Sequence, residues 1–172
     1  MKIKIAALSI FLSLNLMALN IGEVPKNMTL ENENGGLVVG EGAWSASSIK
    51  DKVYVLFYVD PDEKDTNAHF TKILKEKKYD RANYGSIAII NLAATWKPNI
   101  VLEAILKSKQ EEFPDTLYVK DKTKQLVKEW QITDDASNVL IFAKDKTLRF
   151  TKSGKMSDED IQNAIKIIEE NL

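Results

Sequence analysis

The run Val53-Tyr-Val-Leu-Phe-Tyr-Val59 holds seven apolar or aromatic residues with no polar alternation. A strand with one wet face alternates, so a strand apolar at every position must be covered on both faces. Parallel strands at the centre of an α/β sheet are covered in this way. A second run, Ser86-Ile-Ala-Ile-Ile90, lies within Tyr84–Asn91 and has the same character. Two such runs in one short chain point to a central sheet with helices on its faces.

The segments between and after them supply the helices. Asp60-Pro-Asp-Glu-Lys-Asp-Thr-Asn67 breaks the first strand. Asp62, Glu63 and Asp65 then suit the positive end of a helix expected to run to about Lys77, with Phe70, Ile73, Leu74 and Lys77 on one face. Pro98 suits the first turn of a second helix carrying Val101, Leu102, Ile105 and Leu106. Thr116-Leu-Tyr-Val119 reads as a third central strand, and residues 126–130 read equally as a helical turn or a strand. Val139-Leu-Ile-Phe142 and Thr147-Leu-Arg-Phe150 flank a hairpin turn. A closing helix starts at Ser157, which forms a capping-box pair with Asp160, while Met156 staples onto Ile161. Its stripe is Ile161, Ala164, Ile165, Ile168 and Leu172. Upstream, Leu37-Val-Val39 is the best strand candidate in a glycine-punctuated lead-in, and residues 43–52 read as a loop. The order β-α-β-α-β-β-α describes a thioredoxin-like mixed sheet covered by helices.

Residues 1–18 read as a signal peptide: Lys2 and Lys4, an apolar stretch from Ile5 to Leu14, and a small residue at Ala18. The expectation is a periplasmic protein whose mature part, residues 19–172, is one domain without stable membrane insertion after cleavage. Without Lys2 and Lys4 the chain has three more acidic than basic side chains. That balance argues against nucleic acid, whose binders concentrate positive charge.

The chain contains no cysteine. Thiol–disulfide exchange and thiol peroxidase chemistry both require a thiolate, so both are excluded. In a thioredoxin arrangement the redox pair sits just after the first central strand, where this chain reads Asp60-Pro61-Asp62-Glu63. The facing cis-proline precedes the third-last element, where this chain reads Ala136-Ser137-Asn138. Both halves of a thiol site are missing.

Several short motifs occur in order over most of the chain: Gly22-Glu-Val-Pro25, Trp44-Ser45, Lys52-Val-Tyr-Val, Tyr79-Asp-Arg, Ile89-Ile-Asn91, Lys128-Glu-Trp-Gln-Ile132, Ala143-Lys-Asp145 and Met156-Ser-Asp-Glu-Asp-Ile-Gln162. In these the chain resembles the YtfJ family of exported Gram-negative proteins. The resemblance implies a thioredoxin-like fold and brings no catalytic residues with it.

The residues that remain as candidates are few. Asp60 and Asp62 lie where a sheet of this kind receives its ligands, and Trp96 lies in a loop after a central strand, at the same edge. These three are the expected ligand-binding residues, for a peptide, protein or small ligand of the envelope. Of the three indoles, at least two of Trp44, Trp96 and Trp130 are expected in the core, with Trp96 exposed. A hard cation gathered by Asp60, Asp62, Glu63 and Asp65, with His69 nearby, is the alternative, as a metal-dependent or other non-redox enzyme site. The spacing lacks the glycine and terminal glutamate of an EF-hand, which favours a solvated turn with no metal. No catalytic residue and no cofactor are expected. The leading expectation is a non-catalytic binding module, with a regulatory partner of an envelope protein as a further alternative.

Overall fold

The computed structural model describes residues 18–40 and 42–172; the expected signal segment therefore lies, up to Met17, outside the described residues. Six strands form one mixed sheet in the order β2-β6-β5-β4-β7-β8. Their ranges are β2 Gly35–Leu37, β4 Val53–Val59, β5 Tyr84–Asn91, β6 Thr116–Asp121, β7 Ser137–Phe142 and β8 Leu148–Ser153. Two further short strands, β1 Thr29–Leu30 and β3 Trp44–Ser45, pair with each other. The helices are α1 Ala68–Lys77, α2 Asn99–Glu112, α3 Gln125–Trp130 and α4 Asp158–Asn171.

The wholly apolar run is the innermost strand. β4 pairs in parallel with β5 and antiparallel with β7, and β5 pairs in parallel with β6. Alternate residues of β4 then enter two separate cores, as the period of two requires. Val53, Val55, Phe57 and Val59 pack with Phe70 and Leu74 of α1 and with Ile161, Ala164 and Ile168 of α4. Leu56 and Tyr58 pack on the other face with Leu126 and Trp130 of α3 and with Leu30, Trp44 and Ile49. Two of the three indoles are thus core, as expected. Trp130 donates its Nε1–H to the Lys26 carbonyl at 2.9 Å and meets Phe142 edge-on at 6.0 Å. The α4 capping box forms as read: Ser157 Oγ accepts from the Asp160 N–H at 3.1 Å, and Asp160 Oδ2 accepts from the Ser157 N–H at 2.9 Å. Among the described residues no helix is long and apolar enough to cross a membrane.

Four expectations are corrected. The first helix begins at Ala68, and its first turn carries no acid; Pro61–Glu63 forms a separate 3-10 turn instead. The cause is local. Asp60 caps that turn by accepting from the Asp62 N–H at 2.8 Å, which ends the first hydrogen-bonding run before α1 can start. In α2, only Leu102 and Leu106 are buried, against Val38 and Leu92; Val101 and Ile105 face outward. The lead-in strand is Gly35–Leu37, shifted from 37–39. Residues 43–52 include a two-residue strand, because Trp44 is drawn into the core beside Leu30. Residues 126–130 are helical, within α3.

Candidate functional site

The C-terminal ends of β4, β5 and β6 lie side by side, and the antiparallel β7 begins at the same edge. Among the described residues the buried polar side chains are Asp60, Asn67, Asn91, Asp121, Ser137 and Asn138, and all six are at this edge. Backbone groups released where strands end need partners, and buried polar side chains supply them.

Asp121 closes β6 and organises the turn into α3. Its Oδ1 accepts from the backbone N–H groups of Thr123 at 3.1 Å and Gln125 at 3.0 Å, and its Oδ2 from that of Leu126 at 3.1 Å. The Tyr58 hydroxyl donates to the same Oδ2 at 3.2 Å. Burial, and then the Asp121 carboxylate, push the Tyr58 phenol far above its ordinary pKa, so it remains a donor at every physiological pH. Asn138 donates from Nδ2 to the Thr133 carbonyl at 2.8 Å. Asn67 joins α1 to the far side of the edge: its Nδ2 donates to Ser137 Oγ and to the Gly154 carbonyl, each at 3.0 Å, and its Oδ1 accepts from the Met156 N–H at 2.9 Å.

Asn91 ends β5. Its Nδ2 donates to Asp134 Oδ1 at 3.0 Å, and Asp134 Oδ2 accepts from Lys124 Nζ at 2.6 Å. Burial works to raise the Asp134 carboxyl, but the Lys124 ammonium overrides it and holds the group below its ordinary value. The Asn91 Oδ1 is buried without a hydrogen-bond partner among the described residues. A polar atom left so costs free energy in a free protein, which marks this edge as incompletely satisfied.

The three residues singled out from the sequence meet here. Asp60 is only 6% exposed, while Asp62 next to it lies open. Asp62 accepts from Thr95 Oγ1 at 3.1 Å and pairs with Lys97 Nζ. Trp96 stands between those two tethered residues with its side chain 87% exposed. The loop is thus fixed to the Asp60–Glu63 turn on both sides of the indole, and the indole is presented to solvent on a held backbone. The Lys97 ammonium keeps Asp62 below its ordinary carboxyl pKa.

The other members of the cation alternative are dispersed. Glu63 accepts from Thr66 Oγ1, Asp65 pairs with Lys64, and His69 Nε2 is 3.0 Å from the Met156 carbonyl oxygen. Among the described residues no group of three or more His, Cys, Asp or Glu is placed to hold a metal ion.

Burial, reinforced by the Asp62, Asp135 and Glu63 carboxylates and opposed by the Asp62 N–H, raises the Asp60 carboxyl above its ordinary value. The folded protein therefore holds this proton more tightly than the unfolded chain does. The stability the group contributes is present below the unfolded pKa and is lost as pH rises through the folded one. Asp60→Asn keeps an oxygen to accept from the Asp62 N–H and removes the charge. It is expected to be more stable than the natural protein at neutral pH, with the gain shrinking to nothing in acid below about pH 4. Urea unfolding at the two pH values measures this. Asp60→Ala, which also removes the cap, forfeits about 1 kcal/mol of that gain.

Sequence reasoning did not single out Asn67, Asn91, Asp121 or Asn138 as members of the edge. Three of them carried a readable signal. Asn91 directly ends the apolar run of β5, Asp121 is the last residue of β6, after Lys120, and Asn138 directly precedes an apolar run. A polar residue at the same edge of three strands of one sheet becomes informative once the strand order and directions are known.

Residues 22–171 match the family described as "Bacterial protein of unknown function (YtfJ_HI0045)". A relative in Escherichia coli (strain K12), "Uncharacterized protein YtfJ", is 22% identical over 132 residues, covering 75% of this chain and 72% of the relative. A relative in Haemophilus influenzae is 26% identical over 129 residues, covering 73% and 70%. Among solved structures, the exposed lipoprotein thioredoxin Etrx1 of Streptococcus pneumoniae superposes with a TM-score of 0.57 at 15% identity, covering 84% of this chain and 99% of that one. At that identity the likeness shows the fold alone, which is thioredoxin-like.

Proposed function

Since this chain belongs to the YtfJ_HI0045 family and builds a thioredoxin-like fold without a single cysteine, we propose that it is an exported, periplasmic, non-catalytic binding module. Its ligand is a peptide, protein or small molecule of the envelope, taken at the C-terminal edge of the sheet. The observation that carries this reading is the convergence at one edge of the buried polar side chains with the exposed Trp96, whose neighbours Thr95 and Lys97 are both tethered to Asp62. Open α/β sheets take ligands at this edge, and an exposed tryptophan is the kind of residue that dominates a contact energetically. Asp62, exposed and bonded to Thr95 and Lys97, stands beside the loop that carries the indole, and Asp60 is buried in the same turn.

The mature protein, immobilised and exposed to an envelope extract, is expected to retain a specific ligand. Trp96→Ala is expected to weaken that retention by more than about tenfold, while leaving the fold intact because the side chain supports no core. Unchanged retention by the Trp96→Ala protein sinks the assignment. Trp44 and Trp130 are buried, so iodide quenching of indole fluorescence reports Trp96, and ligand binding is expected to suppress it. N-terminal sequencing of periplasmic protein is expected to begin near Leu19; an intact Met1 on cytoplasmic protein would overturn the export part.

A further inference from the structure

Two motifs of this chain, Lys52-Val-Tyr-Val and Tyr79-Asp-Arg, take no part in the C-terminal edge of the sheet. The fold joins them at the opposite edge, where Lys52 Nζ donates to the Arg81 carbonyl at 2.6 Å. Beside them a cleft of about 330 Å³ opens at the N-terminal ends of β4, β5 and β6. That volume suits a small ligand or one residue of a larger one.

The cleft has an apolar part. Tyr54 is the register partner of Gly85, and a Cβ on Gly85 would lie 2.3 Å from its ring. Glycine at that position therefore lets the ring settle against the backbone of β5. Leu117, at the start of β6, lines the cleft and is 39% exposed.

The free polar groups beside it are donors. Arg81 lies over the Tyr84 ring, 5.5 Å from its centroid, and its Nη2 donates to Asp115 Oδ2 at 3.2 Å. Ring and carboxylate orient the guanidinium, and that one bond leaves most of its five N–H donors unused among the described residues. Lys52 spends one of three ammonium donors on the Arg81 carbonyl and makes no ion pair among the described residues. The Tyr54 hydroxyl likewise has no hydrogen-bond partner among them. Neither Lys nor Arg can accept. Two bases and one acid line the cleft; Asp51 and Asp80, next to the two motifs' basic ends, do not line it. A ligand here must bring acceptors and negative charge to the donors, and an apolar body to the Tyr54–Leu117 side.

We infer that this cleft binds an apolar carboxylate, its oxygens on Lys52 and Arg81 and its body against Tyr54 and Leu117. A free organic acid and the C-terminal residue of a peptide share this chemistry. From Tyr54 to Asp60 is about 20 Å of strand, so the site is separate from the Trp96 edge and independent of the ligand proposed there.

The test titrates the isotope-labelled mature protein with N-acetylphenylalanine and follows amide shifts by nuclear magnetic resonance. Saturable shifts are expected at Gly85, Ser86 and Leu117 and not around Trp96. The neutral amide of the same compound has the same body without the charge, and is expected to bind at least about tenfold more weakly. Lys52→Met keeps the aliphatic stem and is expected to weaken the acid by at least about tenfold. Leu117→Glu places a carboxylate on an exposed position and is expected to abolish binding, with circular dichroism unchanged. Trp96→Ala is expected to leave the affinity as it was. A further probe, 3-phenylpropionate, separates the two sources: equal affinity assigns a free acid, a loss of at least about tenfold assigns a peptide terminus, and both outcomes uphold the class. No saturable shift, equal binding of acid and amide, or affinity indifferent to both Lys52→Met and Leu117→Glu overturns the proposal. Loss of binding in Trp96→Ala overturns the location.

Discussion

Asp121→Ala is expected to destabilise the protein by about 3–4 kcal/mol, a large part of the stability of a domain this size. The carboxylate is fully buried and accepts from three backbone N–H groups and one phenol. Each buried donor left without an acceptor costs about 1–3 kcal/mol, reduced here because the methyl leaves space that water can enter. Tyr58→Phe removes only one of the four bonds and is expected to cost about 1 kcal/mol. The double variant should then cost less than the sum, because after Asp121→Ala the Tyr58 hydroxyl has lost its partner already. Asp121→Asn keeps one acceptor oxygen but turns an amide toward the backbone donors, and falls between. Urea unfolding of the four proteins tests this. A loss below about 1 kcal/mol for Asp121→Ala would mean that α3 is held by Leu126 and Trp130 packing and not by its carboxylate cap.

The central sheet was legible because burial on both faces leaves a mark that no local effect can imitate. Val53–Val59 has no alternation and is the innermost strand; α4 has a capping box, a staple and a single stripe, and forms as read. The failures lie where a tertiary contact or a competing local one overrules the pattern. Val101 and Ile105 continue the helical period of α2, yet periodicity reports only that one stripe is apolar, not which stripe meets the sheet; here the apolar arc is wider than the buried one. The acids of the 60–65 segment satisfy the rule for a helix start, but Asp60 uses its side chain to close a separate turn first. The site was half visible. Asp60, Asp62 and Trp96 were found from strand ends. Asp121, Asn91 and Asn138 each carried a readable strand-boundary signal, but only the sheet order and strand directions put the three at one edge.

Gly35→Ala is expected to cost more than about 3 kcal/mol, and it is the sharpest test of how the lead-in is attached. Gly35 sits at φ +134°, and a Cβ there would lie 1.9 Å from the Lys120 carbonyl oxygen, on the backbone of β6. That atom cannot swing aside like the end of a side chain, so β2 must separate from β6. Gly40 makes the control: its φ is +87°, but a Cβ would meet nothing within 4 Å. Gly40→Ala therefore carries only the backbone strain of a left-handed residue, about 1–2 kcal/mol. The difference between the two variants isolates the close approach from the dihedral cost. It also explains why the strand lies at Gly35–Leu37 and not two residues later, in the more strand-like Leu37-Val-Val39: β2 is placed by where the chain can come near β6, and only glycine comes near enough. Gly35 is the register partner of Asp121, so the same displacement should loosen the turn that Asp121 caps. The amides of Thr123, Gln125 and Leu126 are accordingly expected to lose hydrogen-exchange protection in Gly35→Ala and to keep it in Gly40→Ala. Equal stability of the two variants, or unchanged protection at those three amides, would show that β2 is an ornament on the sheet edge and not part of what holds the Asp121 hub closed.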